Sequence, residues 1–241
     1  MIIDGKKIAE EIVVSLGDSL RGKKLGIVVG VQEAATDSFV KIKTRVAERL
    51  GVEVVRGELA DLVQSCDGII VQLPHPNADE LIAAIPSEKD LDAISPKPLV
   101  HTPVAGAISE VLVRGNVSAL GKTAVVVGKG RLVGAPAAEL LKELGAHVTV
   151  ITQSEGSLSA LKDADIVVLG AGEPGLVKPD MLKEGVVLID AGTSEAAGKL
   201  AGDADPACAE VASIFTPVPG GIGPIAVAMI FKNLFQLAKR D

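Results

Sequence analysis

The chain has 241 residues, 48% of them apolar and 23% charged, enough for one large domain or two modest ones with real cores, and against extensive disorder. Its net charge of −7 comes without a basic block, which argues against nucleic acid as the principal partner. Two distant cysteines (Cys66, Cys208) and three scattered histidines argue against a disulfide framework or any metal site, and the lack of a signal-peptide core or an apolar run near ~20 residues points to a cytoplasmic protein with no membrane partner.

A helix is expected over 4–20, a strand over 25–31 (LGIVVGV) and a second helix over 34–50. That second helix carries Asp37-Ser38-Phe39-Val40-Lys41-Ile42-Lys43, with two lysines one residue apart. At about 100° per residue, Ile42, Val46 and Leu50 fall within roughly 60° of Phe39 and mark the buried stripe. Lys43 falls inside it and Lys41 on the opposite side. A lysine on an apolar face loses hydration, which lowers its pKa and suits it to general-base work. The alternative is that Lys43 snorkels from the edge of the stripe.

Strands follow at 52–57 and 67–74. The second ends in Gln72, before the Pro-punctuated loop Leu73-Pro74-His75-Pro76. Open α/β sheets bind ligands at the carboxyl ends of their strands, so Gln72 is placed to bond a substrate or orient a lysine; otherwise it caps the strand end. A helix at 77–85 and the polar loop Glu88-Lys89-Asp90-Leu91-Asp92-Ala93 come next, where spacing alone reads Asp92 as a solvated carboxylate.

The Pro-rich segment 95–103 is a seam, and past it a helix is expected over 104–114 and a strand over 123–128. Gly128-Lys129-Gly130-Arg131-Leu132-Val133-Gly134 then forms a GxGxxxG turn into a helix over 133–145, followed by a strand at 147–151. Glycines let the backbone approach a pyrophosphate, and a helix N-terminus supplies N–H donors; the alternative is glycines that only tighten a turn. NAD sites place an acid near the end of the second strand. Here that end reads Val150-Ile151-Thr152-Gln153-Ser154, with no acid before Glu155, while Lys129 and Arg131 put cations in the loop where a 2′-phosphate would lie. The balance tilts to NADP, with NAD possible and solvated loop charges the bland alternative.

A helix over 157–163 and strands at 165–172, 186–192 and 212–218 lead to a second seam at 216–224 and a last helix over 223–239, with Pro224 in its first turn. The strands are short, Val- and Ile-rich and mostly continuous rather than alternating, the pattern of a parallel sheet covered on both faces. His75, His101 and His147 have no nucleophile or carboxylate at a telling spacing, and Ser38, Ser95 and Ser109 lack a nucleophile elbow.

The segments FVKIK, DGIIVQLPHP, PSEKDLDA, GKTAVVVGKGRLVGAP, DADIVVLGAGEPGLVKPDML, VVLIDAG and TPVPGGIGP, in this order from about residue 2 to 237, resemble the bifunctional methylenetetrahydrofolate dehydrogenase/methenyltetrahydrofolate cyclohydrolase family. The resemblance implies a two-domain α/β fold. A folate-binding βα domain (1–110, closed by a C-terminal helix at 218–241) and a Rossmann-like parallel-sheet dinucleotide-binding domain (111–217) would have a cleft between them. It also implies a homodimer and tetrahydrofolate derivatives as substrates. Phe39 and Lys43 match the family's Tyr-x-x-x-Lys pair, which makes Lys43 the catalytic lysine; Gln72 matches the residue that bonds it and Asp92 the one that grips the pterin. Leu73, Pro74, Pro219, Gly220 and Gly221 would line the folate. Gly128, Lys129, Gly130, Arg131 and Gly134 would meet the cofactor, with the Thr193 backbone on its nicotinamide side. The reaction implied is oxidation of the bridging methylene to a methenyl cation, then hydrolysis to 10-formyltetrahydrofolate, within one-carbon metabolism and purine biosynthesis.

The chain departs from the family pattern at Phe39, which can stack but has no hydroxyl, at Val100-His101-Thr102-Pro103 and at Ala226. Two other readings fit these departures: a dehydrogenase with a weakened cyclohydrolase, and a non-catalytic folate- or nucleotide-binding protein.

Overall fold

The computed structural model describes residues 1–30, 34–196 and 199–239; of residues 34–39, 195, 196 and 199 it describes the backbone. Two compact units emerge. One joins Met1–Ile8 to Val104–Ala226, the other Ala9–Pro103 to Val227–Asp241.

The three-stranded unit holds β1 (Lys24–Val29), β2 (Glu53–Arg56) and β3 (Gly68–Gln72), parallel in the order β2-β1-β3. All five residues of β3 are buried, which its unbroken apolar run requires. Val29 pairs with Gln72, so both strands end together at their carboxyl edge. Helices α2 (Ala34–Leu50), α3 (Leu59–Ser65) and α4 (Ala78–Ala84) connect or follow the strands. Leu59, Leu62, Cys66, Ile69, Val71, Ile82 and Ile85 share one core with Val28. The main chain at Asp90 pairs alongside Ile69, through Ile69 N–H to Lys89 O (2.7 Å) and Leu91 N–H to Ile69 O (3.2 Å). The Lys89 ammonium donates to Val63 O (2.7 Å) and Cys66 O (2.9 Å) and so ties that segment to the end of α3.

The five-stranded unit holds β4 (Thr123–Val127), β5 (His147–Ile151), β6 (Ile166–Leu169), β7 (Val187–Asp190) and β10 (Ile214–Thr216), all parallel in the order β10-β7-β6-β4-β5. The central strands β6 and β7 are buried throughout, whereas β5, at the edge, alternates. Residues 1–3 extend this sheet past β10: Ile3 N–H donates to Phe215 O and Phe215 N–H to Met1 O, each at 2.9 Å. Helix α6 (Gly134–Glu143) crosses from β4 to β5, and β8 (Ser194–Ala196) pairs with β9 (Lys199–Ala201) as a small antiparallel ribbon. Helices α1 (Gly5–Leu16), α5 (Pro103–Arg114) and α7 (Ile222–Leu237) carry the chain across the unit boundaries.

Three local expectations are corrected. Helix α1 stops at Leu16, where Gly17 takes φ +51° and ends the helix. Residues 158–163 form a 3₁₀ rather than an α-helix. Ile42, expected in the buried stripe of α2, is 41% exposed. The buried positions are Val40, Ala47 and Leu50, so the stripe is turned toward Val40 and Lys43 falls between Leu50 and Ala47 within it.

Candidate active site

Lys43 extends from α2 into the three-stranded unit, and its Nζ donates to Gln72 Oε1 at 2.6 Å. Gln72 is 7% exposed and closes β3; its Nε2 donates to Leu73 O at 2.9 Å, which fixes which end of the amide faces the lysine. Lys41 is exposed. Burial holds Lys43 below the usual lysine range, and the charge of Asp92 works in the other direction.

Asp92 is carried by a loop built on Asp90. The buried Asp90 carboxylate accepts N–H bonds from Ala93 (3.0 Å) and Ser95 (2.7 Å), folding the chain back so that Ala93 takes φ +53°. Burial pushes Asp92 up to about 6, with Lys43 lowering it and Asp90 raising it further. Spacing alone suggested a solvated carboxylate; the Asp90 turn instead puts Asp92 within electrostatic reach of Lys43. Asn233 on α7 holds the same loop, its Nδ2 donating to Leu91 O and His101 O at 2.9 Å each. Sequence reasoning passed over Asp90 and Asn233. The signal for Asp90 was a second acid two residues before Asp92; for Asn233 it was an amide set among Ile230, Phe231, Leu234 and Leu237 in a mostly apolar helix.

Lys43, Gln72, Leu73, Pro74 and Asp92 therefore meet at one end of the three-stranded sheet, where ligands bind in open α/β folds. Phe39 belongs to α2, but its side chain lies outside the described residues. His75 accepts from Asn77 N–H at Nδ1 (3.1 Å), and its ring lies on the main chain of Gly30, where a Cβ would stand 2.2 Å away.

In the five-stranded unit the loop after β4 shows what each glycine does. Gly128 has φ +101°, and a Cβ there would come within 2.3 Å of Gly170 O. A Cβ at Gly134 would come within 2.2 Å of Gly128 O, so this glycine lets α6 close on the loop. At Gly130 a Cβ would meet nothing within 4 Å, and the backbone there needs no positive φ. Packing gives no reason for glycine at 130, and the main chain there is open to close approach. Lys129 and Arg131 flank it, both exposed. The end of β5 turns through Thr152, whose Oγ1 accepts from Glu155 N–H (3.1 Å) and contacts Ser154 Oγ (3.2 Å), so small hydroxyls stand where an NAD-type carboxylate would. Thr193, exposed, follows β7 at the same edge. Pro219, Gly220 and Gly221 form a turn after β10, with Gly220 at φ +107° and its carbonyl accepting from Gly5 N–H at 2.8 Å. With Ile2, Ile3, Asp4 and Lys6, Pro217, Pro219 and Gly220 line a shallow depression of about 340 Å³.

A family profile described as the NAD(P)-binding domain of tetrahydrofolate dehydrogenase/cyclohydrolase matches residues 101–241. The bifunctional protein FolD of Staphylococcus aureus (strain Newman) is 35% identical over 277 residues, covering 99% of this chain and 96% of its own. The crystal structure of FolD from Campylobacter jejuni, a methylenetetrahydrofolate dehydrogenase/cyclohydrolase, superposes with a TM-score of 0.93 at 28% identity, covering 100% and 99% of the two chains. Trypanosoma brucei FolD, solved with NADP and an inhibitor, gives 0.90 at 29% identity over 100% and 97%.

Proposed function

The chain belongs to the tetrahydrofolate dehydrogenase/cyclohydrolase family, and from that premise we propose that it oxidises 5,10-methylenetetrahydrofolate with NADP and hydrolyses the methenyl product to 10-formyltetrahydrofolate. The observation that carries the reading is the half-buried Lys43 Nζ bonded to Gln72 Oε1 at 2.6 Å beside a carboxyl group of raised pKa.

Bound NADP supplies the hydride acceptor. The protein's part in the first step is to hold the two partners: the main chain at Gly128–Gly130 and the start of α6 receive the phosphates, Lys129 and Arg131 meet the 2′-phosphate, and the Thr193 backbone borders the nicotinamide. Asp92 grips the pterin, with Leu73 and Pro74 lining the folate. In the second step water adds to the methenyl carbon and gives a proton to the neutral Lys43 amine. The carbinol then collapses to a formyl group as the bond to N5 breaks and N5 takes a proton. One proton is released overall. A permanently charged ammonium would oppose both the cation and the proton transfer, so desolvation of Lys43 favours the reaction. Gln72 aims the amine.

A dehydrogenase with weakened hydrolysis is the second reading, favoured by the absence of a hydroxyl on Phe39. A homodimer belongs to the proposal and is supported by the exposed apolar side chains Val113 and Leu120. So does a cytoplasmic location, supported by two unpaired buried cysteines; no helix among the described residues is long and apolar enough to cross a membrane. The test gives the purified protein methylenetetrahydrofolate with NADP or NAD and follows absorbance of the methenyl cation, then its decay without cofactor. Turnover in both steps is expected, with Lys43→Ala losing hydrolysis and Lys41→Ala retaining it. No turnover in either step would sink the enzymatic reading, and equal losses in the two variants would refute the lysine assignment.

A further inference from the structure

Two carboxylates with no part in the steps above are buried at the carboxyl edge of the five-stranded sheet. Asp190, the last residue of β7, is 1% exposed, and Asp203 is wholly buried. Asp190 Oδ1 accepts from Gly192 N–H (3.0 Å) and Asp203 N–H (3.2 Å), and its Oδ2 from Ala204 N–H (2.8 Å). Asp203 Oδ2 accepts from Ala171 N–H (2.7 Å) and Gly172 N–H (3.1 Å), and its Oδ1 from Glu173 N–H (2.8 Å). All these donors are main-chain amides. The two acids are also interlocked: a Cβ at Gly202 would stand 2.1 Å from Asp190 Oδ2, and one at Gly192 would stand 2.4 Å from the Asp203 carboxylate. Thr216 adds β10, its Oγ1 accepting from Asp190 N–H (2.7 Å) and donating to Asp190 O (3.1 Å).

Burying carboxylates this way is costly, and an apolar pair would serve packing better. Burial and the neighbouring Asp203 push Asp190 up to about 6, against the pull of its three amides. What the acids achieve is to join three loops: residues 171–173 after β6, 191–194 after β7, and 202–204. The first begins at Gly170, whose carbonyl is the group packed against Gly128 in the glycine loop. Ser194 Oγ donates to Gly172 O (2.8 Å) and joins the first loop to the second, next to Thr193.

We propose that Asp190 and Asp203 are positioning residues for the cofactor: together they lock loops 171–173 and 191–194 into one wall beside the glycine loop and hold Thr193 at the nicotinamide end. The proposal rests on the dinucleotide reading of this unit. Neither acid touches the cofactor; each acts through the amides it holds.

The test compares wild type with Asp190→Asn and Asp203→Asn, each of which turns an NH2 toward amide donors, and with the milder Thr216→Val. Three quantities are read: NADP affinity by calorimetry, amide hydrogen exchange at 171–173 and 192, and cofactor-free hydrolysis of the methenyl substrate. The expected result is NADP affinity at least tenfold weaker, exchange at those amides at least tenfold faster, and hydrolysis within twofold of wild type. A merely structural role would lower hydrolysis and NADP affinity together, and that outcome overturns the proposal. So does NADP affinity within twofold of wild type in variants that fold. If neither Asn variant folds, Thr216→Val decides on the same criteria. Wild type that binds no NADP removes the cofactor reading and this proposal with it, whereas unaffected variants remove the proposal alone.

Discussion

Replacing Gln72 with Glu tests whether Lys43 works as a neutral amine. The change is nearly isosteric and sets a carboxylate where Gln72 Oε1 accepts from Lys43 Nζ at 2.6 Å. Two unit charges at that distance attract by about 6 kcal/mol at an effective dielectric of 20. Even half of that favours protonation of Lys43 by roughly 100-fold, against the lowering that burial produces. The Nε2–H bond to Leu73 O is lost as well, at a cost to stability of about 1 kcal/mol. Methenyl hydrolysis, followed by loss of the cation's absorbance from pH 6 to 10, should fall on the order of 100-fold near neutrality and recover at higher pH than in wild type. Methylene oxidation with NADP, which needs no proton transfer to the lysine, should fall much less. Hydrolysis by Gln72→Glu at the wild-type rate, with its pH limb unmoved, would refute the neutral-amine argument.

Gly130→Ala should fold and melt like wild type, because the added Cβ meets nothing within 4 Å, yet bind NADP at least tenfold more weakly in a titration; unchanged affinity would mean that no phosphate lies against that main chain. Ala93→Gly should stay within about 0.5 kcal/mol of wild type in urea unfolding, since relief of a left-handed alanine (roughly 1 kcal/mol) offsets the lost buried methyl (about 0.8 kcal/mol) and the flexibility of glycine in the unfolded chain; a loss above about 1 kcal/mol contradicts the left-handed turn. Asp92 and Asp190 both sit near 6 in the folded state, above an ordinary 3.8. For acids raised in this way the folded form takes the proton more readily, so their contribution is complete below the unfolded value and lost as pH rises through about 6. Stability should therefore rise by on the order of 1–3 kcal/mol from pH 7.5 to 5.5, read by thermal melting, and a steady fall over that interval would count against both burials.

The alternation of strands and helices was readable because strands such as Ile166–Leu169 and Val187–Asp190 are buried on both faces and so carry unbroken apolar runs. Helix α3 escaped notice because its seven residues bury only Leu59 and Leu62, too few to set a period. Lys43 could be separated from Lys41 by helical phase alone. The mean direction of the stripe could not be read, because Ile42 carries an apolar side chain that the fold leaves exposed. Asp92 was harder still. Its burial depends on a turn held by Asp90, and the residue that adopts the left-handed conformation is Ala93, where a sequence reader looks for glycine. Asp190 was visible at the end of VVLID, a run whose burial implies that its terminal acid is buried too. Its partner Asp203 lies 13 residues on, and nothing in the intervening chain announces their interlock.

The bond from Asn233 to Leu91 spans 142 residues and has a consequence for synthesis on the ribosome. The loop that carries Asp92 is made early, and the amide that pins it only after β4 through β10 have been translated. All of the five-stranded unit, through Ala226, is translated before that clamp exists. The unit begun earlier thus waits for its closing helix, by which point the whole sequence of the five-stranded unit has been made. A chain ending at residue 226 and released from the ribosome should resist protease over 104–226 and be cleaved around 89–101, and one extended through residue 239 should protect both.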